Sequence, residues 1–193
     1  MTDIADEQLM LNYGQGDVQA FTQLYLRHKN SLYRYFLRQC ANPQMAEELY
    51  QEVWNKLIKA RSQYQVSAKF TTWLYRIAYN ELIDHYRRTG TQSKWLDTDN
   101  QDLDIDYFAD HNTHLDAEKL LQDQQAAQLK ACLAQLSREQ KEAFLLKHEA
   151  DFTLKEIAEL VTQTSENIKS RIRYAQAKLK HCIKHKVESN NER

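Results

Sequence analysis

The last predicted helix carries the side chains best suited to binding a charged polymer. Its apolar residues recur three and four positions apart and form one stripe: Ile168, Ile172, Ala175 and Leu179. The other faces present hydroxyl, carboxylate, amide and basic groups, namely Ser165, Glu166, Asn167, Lys169, Ser170, Arg171 and Arg173. A helix fits the major groove of duplex DNA, where such groups reach base edges and phosphates. The pattern predicts a DNA-reading helix; the alternative is a helical hairpin with a solvated basic face.

The elements that must position this helix precede it directly. A short amphipathic helix is predicted from Thr153 to about Val161, followed by a turn at Thr162 and Gln163 and a cap at Thr164 or Ser165. Two helices joined by a short turn form the helix-turn-helix pattern. Further upstream, Ser137 with Gln140 matches a capping box at the start of another helix.

A second helix, predicted from about Thr71 to Arg87, mixes aromatic and basic side chains. The aromatic residues are Phe70, Trp73, Tyr75, Tyr79 and Tyr86, and the basic ones are Lys69, Arg76, Arg87 and Arg88. Exposed rings beside cations suit single-stranded DNA, because bases stack on the rings while the cations bind the backbone. The alternative is that the rings belong to the core and the cations to a solvated face.

A third helix, predicted to begin at Asn42 and Pro43, has an acidic and amide-bearing ridge. Its apolar stripe is Ala46, Leu49, Val53 and Leu57, and the ridge opposite is Glu47, Glu48, Gln51 and Glu52. Acid–base catalysis would need an activated partner in a pocket, and the sequence offers none. The ridge therefore indicates a docking surface for a basic protein, or else a plain solvated face.

Composition favours an all-α fold of two small helical domains. The 193 residues include three glycines and one proline, too few for the tight turns of a β-rich fold. Two domains are expected. The first is 1–90, in which Asp17 is the predicted cap of the first main helix, and the second is 119–186, a helix-turn-helix unit. An acidic linker, 91–118, joins them, and a polar tail, 187–193, follows.

Charge is distributed unevenly. The net charge is −1, but the stretch 95–118 has eight acidic residues and no Lys or Arg, which leaves an excess of seven positive charges elsewhere. The flanks therefore have the basic character that nucleic-acid contact requires. Cys40, Cys132 and Cys182 stand far apart without a CxxC motif, so we expect reduced thiols and a cytoplasmic protein. The acidic start lacks the features of a signal peptide, and no apolar run is long enough to span a membrane.

Two pairs of segments resemble a known family, the extracytoplasmic-function (ECF) group of RNA polymerase sigma factors. AEELYQEVWNKLIKA (46–60) and FTTWLYRIAYNELIDHYRR (70–88) resemble its region two. LSREQKEAFLLKHEADFTLKEIAELV (136–161) and SENIKSRIRYAQAKLK (165–180) resemble region four. The resemblance implies three partners: core RNA polymerase, promoter DNA and an anti-sigma factor. It implies no cofactor, metal, small-molecule substrate or enzymatic activity.

The resemblance also assigns roles to residues. Docking on polymerase falls to Glu48, Gln51 and Glu52. Promoter opening and capture of a flipped base fall to the loop 62–69 with Phe70, Trp73 and Asn80, while Arg76, Arg87 and Arg88 hold the DNA backbone. The region-four helix reads duplex DNA upstream, and the linker passes through polymerase channels.

The sequence departs from the family pattern in and after the helix-turn-helix turn. Thr162 stands where the family usually has Gly, and Glu166-Asn167 replaces a common Gly-Thr. Tyr174 and Gln176 stand where Arg is frequent. These changes lower the positive charge of the DNA-reading helix, so which of its residues contact bases stays open.

Two other functions remain possible at this stage. A one-component regulator would bind duplex DNA through 137–180 and would not need polymerase. A helical adaptor would have no nucleic-acid role at all. The sequence has no phosphate-binding glycine loop or nucleophile elbow. His181, Cys182 and His185 are an incomplete metal-ligand set, and we predict no metal there.

Overall fold

The computed structural model describes residues 4–40, 42–89 and 117–191, with the side chains of the last range described from 125 to 185. In these ranges the ordered elements are helices: α1 Asp6–Gly14, α2 Val18–Cys40, α3 Pro43–Ala60, a 3-10 turn Arg61–Gln63, α4 Phe70–Arg88, α5 Ala117–Leu133, α6 Arg138–Glu149, α7 Leu154–Leu160 and α8 Ser165–Asn191. The all-α prediction is confirmed. Most of the predicted linker 91–118 lies outside the described residues, and α5 includes its last two positions.

Helices α1 to α4 form an N-terminal unit around an aromatic-rich core. The predicted stripe of α3 faces that core, since Ala46, Leu49, Val53 and Leu57 are all buried. Fully buried rings from α2 and α4 fill the centre: Tyr35, Phe36, Phe70 and Tyr75. The rings of Tyr35 and Tyr75 meet edge to face, with centroids 5.4 Å apart, a favourable geometry for aromatic pairs.

The predicted helix caps are confirmed. The Asp17 carboxylate accepts from the backbone N–H of Gln19 at 2.9 Å, at the start of α2. The Asn42 side chain accepts from the N–H of Met45 at 3.1 Å, with Pro43 at the first helical position of α3. Ser137 and Gln140 form both hydrogen bonds of a capping box before α6. Each cap satisfies backbone donors that a helix start leaves unpaired.

Helix α1 is an element that the sequence patterns did not predict. It is short and weakly amphipathic, but Leu9, Met10 and Tyr13 are buried against α2. Its last residue, Gly14, lies so close to the 3-10 turn that a Cβ atom would come 2.9 Å from the Arg61 carbonyl oxygen. Glycine is therefore required there by the close backbone approach.

Helices α5 to α8 form a C-terminal unit in which α8 packs against α5, α6 and α7. The predicted stripe of α8 is buried throughout: Ile168, Ile172, Ala175 and Leu179. A disulfide joins Cys132 at the end of α5 to Cys182 on α8, with Cα atoms 5.8 Å apart. The expectation of three separate thiols is therefore wrong, because the fold brings together two cysteines that are 50 residues apart in sequence. Helix α8 also continues to Asn191, into the segment predicted as a polar tail.

The two units contact each other through the ends of α6 and α7. The Glu149 carboxylate pairs with the guanidinium groups of Arg34 and Arg38 on α2. The Thr72 hydroxyl donates to Glu156 at 2.8 Å, and the Tyr75 hydroxyl donates to the backbone carbonyl of Glu149 at 3.3 Å. Burial tends to raise the pKa of Glu156, but hydrogen bonds from Thr153 and Thr72 hold it below the usual value.

Candidate nucleic-acid interface

The first turns of α8 are exposed, as a DNA-reading helix requires. Thr164 is the cap, since its hydroxyl accepts from the N–H of Asn167 at 3.2 Å. Exposed side chains follow on the faces away from the buried stripe: Ser165, Glu166, Asn167, Lys169 and Arg173. Ser170 and Arg171 are half-buried. The geometry is therefore that of a helix whose N-terminal end is free to enter a groove.

An exposed aromatic ring lies one turn further along the same helix. Tyr174 is 54% exposed, and the guanidinium carbon of Arg173 lies 5.2 Å from its ring centroid. The arrangement is a cation–π contact within α8. The ring stands where Arg is frequent in the family pattern, so this position presents an exposed aromatic surface and no positive charge of its own.

Half-buried Arg171 lies near the boundary between the two units, beside Tyr79 of α4 and Glu142 of α6. Burial raises the pKa of Glu142 to about 7, against the opposing influence of Arg138 and Arg171. Burial also raises the pKa of the Tyr79 hydroxyl to about 12, with Glu142 adding to the effect. Glu142 is 4% exposed, and its Oε1 atom accepts no hydrogen bond from the described part of the chain. The unit boundary thus contains a carboxyl group whose charged form is disfavoured.

The aromatic residues of α4 divide between core and surface. Phe70, Tyr75 and Tyr86 are buried, so for these three the core interpretation applies and their rings have no free face in this conformation. Trp73 and Tyr79 are half-buried. The Trp73 ring lies 5.0 Å from that of Tyr64, centroid to centroid, and keeps part of its surface accessible. Helical periodicity explains the division, because the buried rings continue the inner face of α4.

The basic residues of α4 lie on its exposed surface. Arg76 is exposed. Arg88 donates to the buried Glu81 carboxylate at 3.0 Å, and Arg87 lies 3.8 Å from Asp84. These pairings orient the two arginines but leave most of each side chain in solvent, which is compatible with phosphate contact.

Asn80 lines a cleft between the two units. The cleft has a volume of about 310 Å³. Its walls are Tyr79, Asn80, Ile83, Asp84 and Arg87 of α4, with Leu160, Val161 and Thr162 of the helix-turn-helix. Asn80 is exposed, but the surface around it faces the C-terminal unit. Asn80 is thus accessible to solvent at a cleft that both units line.

The ridge of α3 is partly exposed, and Glu47 in it is half-buried. Glu48 and Gln51 are exposed and Glu52 is half-buried, on the side opposite the core stripe. The Gln51 amide donates to Glu47 at 2.7 Å, one helical turn away. The ridge presents carboxylate and amide groups to solvent.

The sequence patterns did not predict the contacts between α1 and the start of α4. The Glu7 carboxylate accepts from the backbone N–H of Phe70 at 2.7 Å. Asp6 pairs with His28 at 2.6 Å, and the His28 ring lies 5.2 Å from that of Phe70. Burial tends to raise the pKa of Asp6, but hydrogen bonds from His28 and Arg27 hold it below the usual value. The Glu7 contact joins residues 63 positions apart, so no local spacing rule could have indicated it.

The described residues contain no group of three or more His, Cys, Asp or Glu side chains placed to hold a metal ion. In the described part of the chain, no helix is both long and apolar enough to cross a membrane. The His181 and His185 rings lie 4.6 Å apart, centroid to centroid, one turn apart on α8. Cys182 between them is engaged in the disulfide.

Family models match both halves of the chain. The Sigma-70 region 2 model matches residues 24–92, and the Sigma-70 region 4 model matches 126–179; together they cover more than half of the chain. RNA polymerase sigma-H factor of Pseudomonas aeruginosa is 26% identical over 89% of this chain and 90% of its own length. ECF RNA polymerase sigma factor SigK of Mycobacterium sp. (strain KMS) is 26% identical, with 91% and 89% covered. The chain belongs to the ECF group of sigma factors.

Two solved structures share the fold. CnrH, in complex with the cytosolic domain of CnrY, superposes with a TM-score of 0.64 at 20% identity, covering 94% of this sigma factor and 99% of CnrH. RpoE of Bartonella quintana, in complex with the anti-sigma factor NepR, gives a TM-score of 0.65 at 23% identity, covering 86% and 98%. At these identities the likeness concerns the fold, and residue roles must be argued from this sigma factor itself.

Proposed function

We propose that this sigma factor initiates transcription through three surfaces: the ridge of α3 docks on core RNA polymerase, α4 and its preceding loop open the promoter, and α8 reads upstream duplex DNA. The proposed domains are 1–90 and 119–186, with the acidic linker 91–118 between them and a polar tail at 187–193. The observation that carries the proposal is one chain with both a partly exposed carboxylate–amide ridge on α3 and a helix-turn-helix whose second helix has exposed first turns.

The docking surface consists of Glu48, Gln51 and Glu52. Their side chains lie opposite the buried stripe of α3, so a partner can contact them without disturbing the core. Carboxylates favour a basic partner surface, and the attraction also accelerates encounter. The Gln51 amide adds directional hydrogen bonding.

The opening surface consists of Trp73, Arg76, Asn80, Arg87 and Arg88, next to the loop 62–69. The Asn80 amide has the donor and acceptor needed to bind the edge of an unpaired base. The half-buried Trp73 ring is positioned by Tyr64 and offers a limited stacking surface. Phe70 contributes from the core, by supporting Trp73 at a centroid distance of 6.1 Å.

The duplex-reading surface consists of the exposed first turns of α8. Asn167 and Glu166 are suited to base edges, and Lys169 and Arg173 to phosphates or guanine. Ser165, Ser170 and Arg171 complete the surface, and Arg171 becomes more accessible when the two units separate.

The proposed role is that of a non-enzymatic initiation factor acting in the cytoplasm, where its polymerase and promoter partners are. An anti-sigma factor is a further proposed partner, because a structural neighbour is a complex with one. The acidic linker would follow polymerase channels whose basic lining normally attracts nucleic acid.

The deciding experiment is run-off transcription with purified core polymerase on genomic fragments, with and without this protein. Initiation at discrete start sites only when the protein is present supports the proposal and reveals the promoter motif. Failure to bind core polymerase, together with a specific duplex footprint by the protein alone, would instead support a one-component regulator.

Three variants separate the surfaces. Glu52→Lys should abolish binding to core polymerase. The matched control Glu159→Lys, which makes the same charge change at an exposed position of α7, should bind core polymerase normally. Trp73→Ala with Asn80→Ala should permit docking but impair opening, measured by permanganate reactivity of unpaired thymines. Arg171→Ala should weaken the closed complex on duplex DNA. Normal core binding by Glu52→Lys would refute the docking assignment.

A further inference from the structure

Helix α1 contacts Arg61 and Phe70, the two residues that flank the loop 62–69, which the proposed function assigns to promoter opening. At one end, Gly14 lies against the Arg61 backbone carbonyl, and the Arg61 guanidinium carbon lies 5.5 Å from the Tyr13 ring centroid. At the other end, Glu7 accepts the backbone N–H of Phe70. The region-two match begins at residue 24, so α1 lies outside it.

The contact at Phe70 replaces a missing local cap. Helix α4 begins at Phe70, and the side chain of its N-cap residue, Lys69, makes no capping hydrogen bond. The Glu7 carboxylate of α1 accepts that hydrogen bond instead. Its negative charge also interacts favourably with the positive N-terminal end of the α4 helix dipole. Bonds from a backbone N–H to a carboxylate are stronger than neutral ones.

The segment between these contacts has a buried anchor and an exposed tip. Tyr64 is buried, and burial together with the nearby Glu7 and Asp6 charges raises its pKa to about 12. Residues 65–68 are exposed, and a bond from the Ser67 N–H to the Gln65 carbonyl at 2.9 Å tightens them into a turn. A free segment of this length could extend roughly 30 Å, whereas the Glu7 and Gly14 contacts lie about 10 Å apart along α1.

We infer that α1 is a clamp that fixes the opening segment, with Glu7 as a positioning residue for base capture. Glu7 touches no DNA in this scheme. It sets where α4 begins and therefore where the exposed tip 65–68 meets an extruded base. This inference rests on the proposed function, but it makes a separate claim about how selective the opening step is.

The test measures base discrimination at two promoter elements for each protein. Run-off transcription is compared between the mapped promoter and two variants, one with a substitution in the opened element and one in the upstream element. Each ratio uses one protein on two templates, so the fraction of folded protein cancels. The proteins are wild type, Glu7→Ala, Glu7→Gln and the control Gln8→Ala, whose exposed side chain donates a hydrogen bond to Asn12 on the same helix.

We expect Glu7→Ala to lose about tenfold in discrimination at the opened element, the equivalent of one hydrogen bond to a charged group, and nothing at the upstream element. Glu7→Gln keeps an acceptor oxygen and should be intermediate, and Gln8→Ala should match wild type. Unchanged ratios in Glu7→Ala, or equal losses at both elements, would overturn the clamp. A wild-type protein that does not initiate would instead refute the proposed function.

Discussion

The N-terminal unit has a core rich in aromatic rings, whereas Phe152 is the one aromatic residue in the described buried core of the C-terminal unit. Rings in the first unit meet one another at centroid distances such as 4.8 Å for Tyr13 and Phe21. The second unit adds a covalent bond, Cys132 to Cys182, to a smaller set of buried side chains. Small cores commonly need such reinforcement, because they bury too little apolar surface to offset chain entropy.

The difference suits the roles proposed for the two units. The first must hold a loop and a helix rigidly while DNA strands separate, and interlocking rings resist displacement. In the proposed role, the second unit presents α8 to a groove of duplex DNA, and for this its core has only to hold α8 in the correct orientation. The contrast is testable, because each unit should fail under a different perturbation.

Reduction of the disulfide should have the largest effect, and only on the C-terminal unit. Closing a loop of 50 residues constrains the unfolded chain by about 4 kcal/mol in the chain-entropy treatment. We expect backbone amides of α5 to α8 to exchange with deuterium much faster after reduction, while those of α1 to α4 change little. Cys132→Ser should reproduce the reduced state and be insensitive to reductant. Equal acceleration in both units would contradict the contrast.

Neutralising Glu142, which lies at the boundary between the units, should raise the free energy of unfolding at alkaline pH. Its pKa is about 7 in the folded protein, above its ordinary value, so the folded state favours the protonated form. This contribution to stability is complete below about pH 4.5 and is lost as the pH rises through 7. Glu142→Gln should therefore raise the free energy of unfolding by roughly 1–3 kcal/mol at pH 8, and by almost nothing at pH 4.5.

Urea unfolding of both proteins across that range provides the measurement. The wild-type protein should lose stability relative to Glu142→Gln between pH 4.5 and 8. Arg138 and Arg171 favour the charged carboxylate and lower the pKa of Glu142, so they reduce the loss of stability. A difference that is independent of pH would show that the carboxyl group does not titrate as its burial requires.

Thr162→Gly should give the smallest effect, a gain of about 0.5–1 kcal/mol. Thr162 has a φ of 55°, in the left-handed region that β-branched residues rarely adopt. Asp151 has a φ of 54° and is the matched control, because Asp tolerates this region better and Asp151→Gly should gain less. Thermal denaturation compares the two. An equal or larger gain at Asp151 would show that side-chain branching is not the cause.

Local rules predicted a large part of the fold. The caps at Asp17, Asn42 and Ser137 involve residues two or three positions apart, so the sequence displays them directly. Apolar stripes on α3 and α8 follow helical periodicity, and the structure buries them as predicted. The departure at Thr162 is likewise visible in sequence and coincides with an unusual backbone angle.

Long-range contacts could not be predicted in this way. The Glu7 cap and the cysteine pair join residues 63 and 50 positions apart, and only the packing of helices brings them together. The same limit applies to the candidate site. Residue types indicated a mixed aromatic and basic surface on α4, but whether a ring such as Tyr75 faces the core depends on what packs against it. The roles assigned to individual side chains stay predictions.

The bond between Cys132 and Cys182 also gives the chain a topology that its linear sequence lacks. Residues 132 to 182 form a closed covalent ring, which includes α6, α7 and α8 as far as Cys182. A protease that cuts at the exposed turn around Gln163 would open the ring without releasing a fragment. The nicked protein should migrate as one band without reductant and as two bands with it. Helix α8 is thus tethered to α5 by two independent routes, one through peptide bonds and one through sulfur.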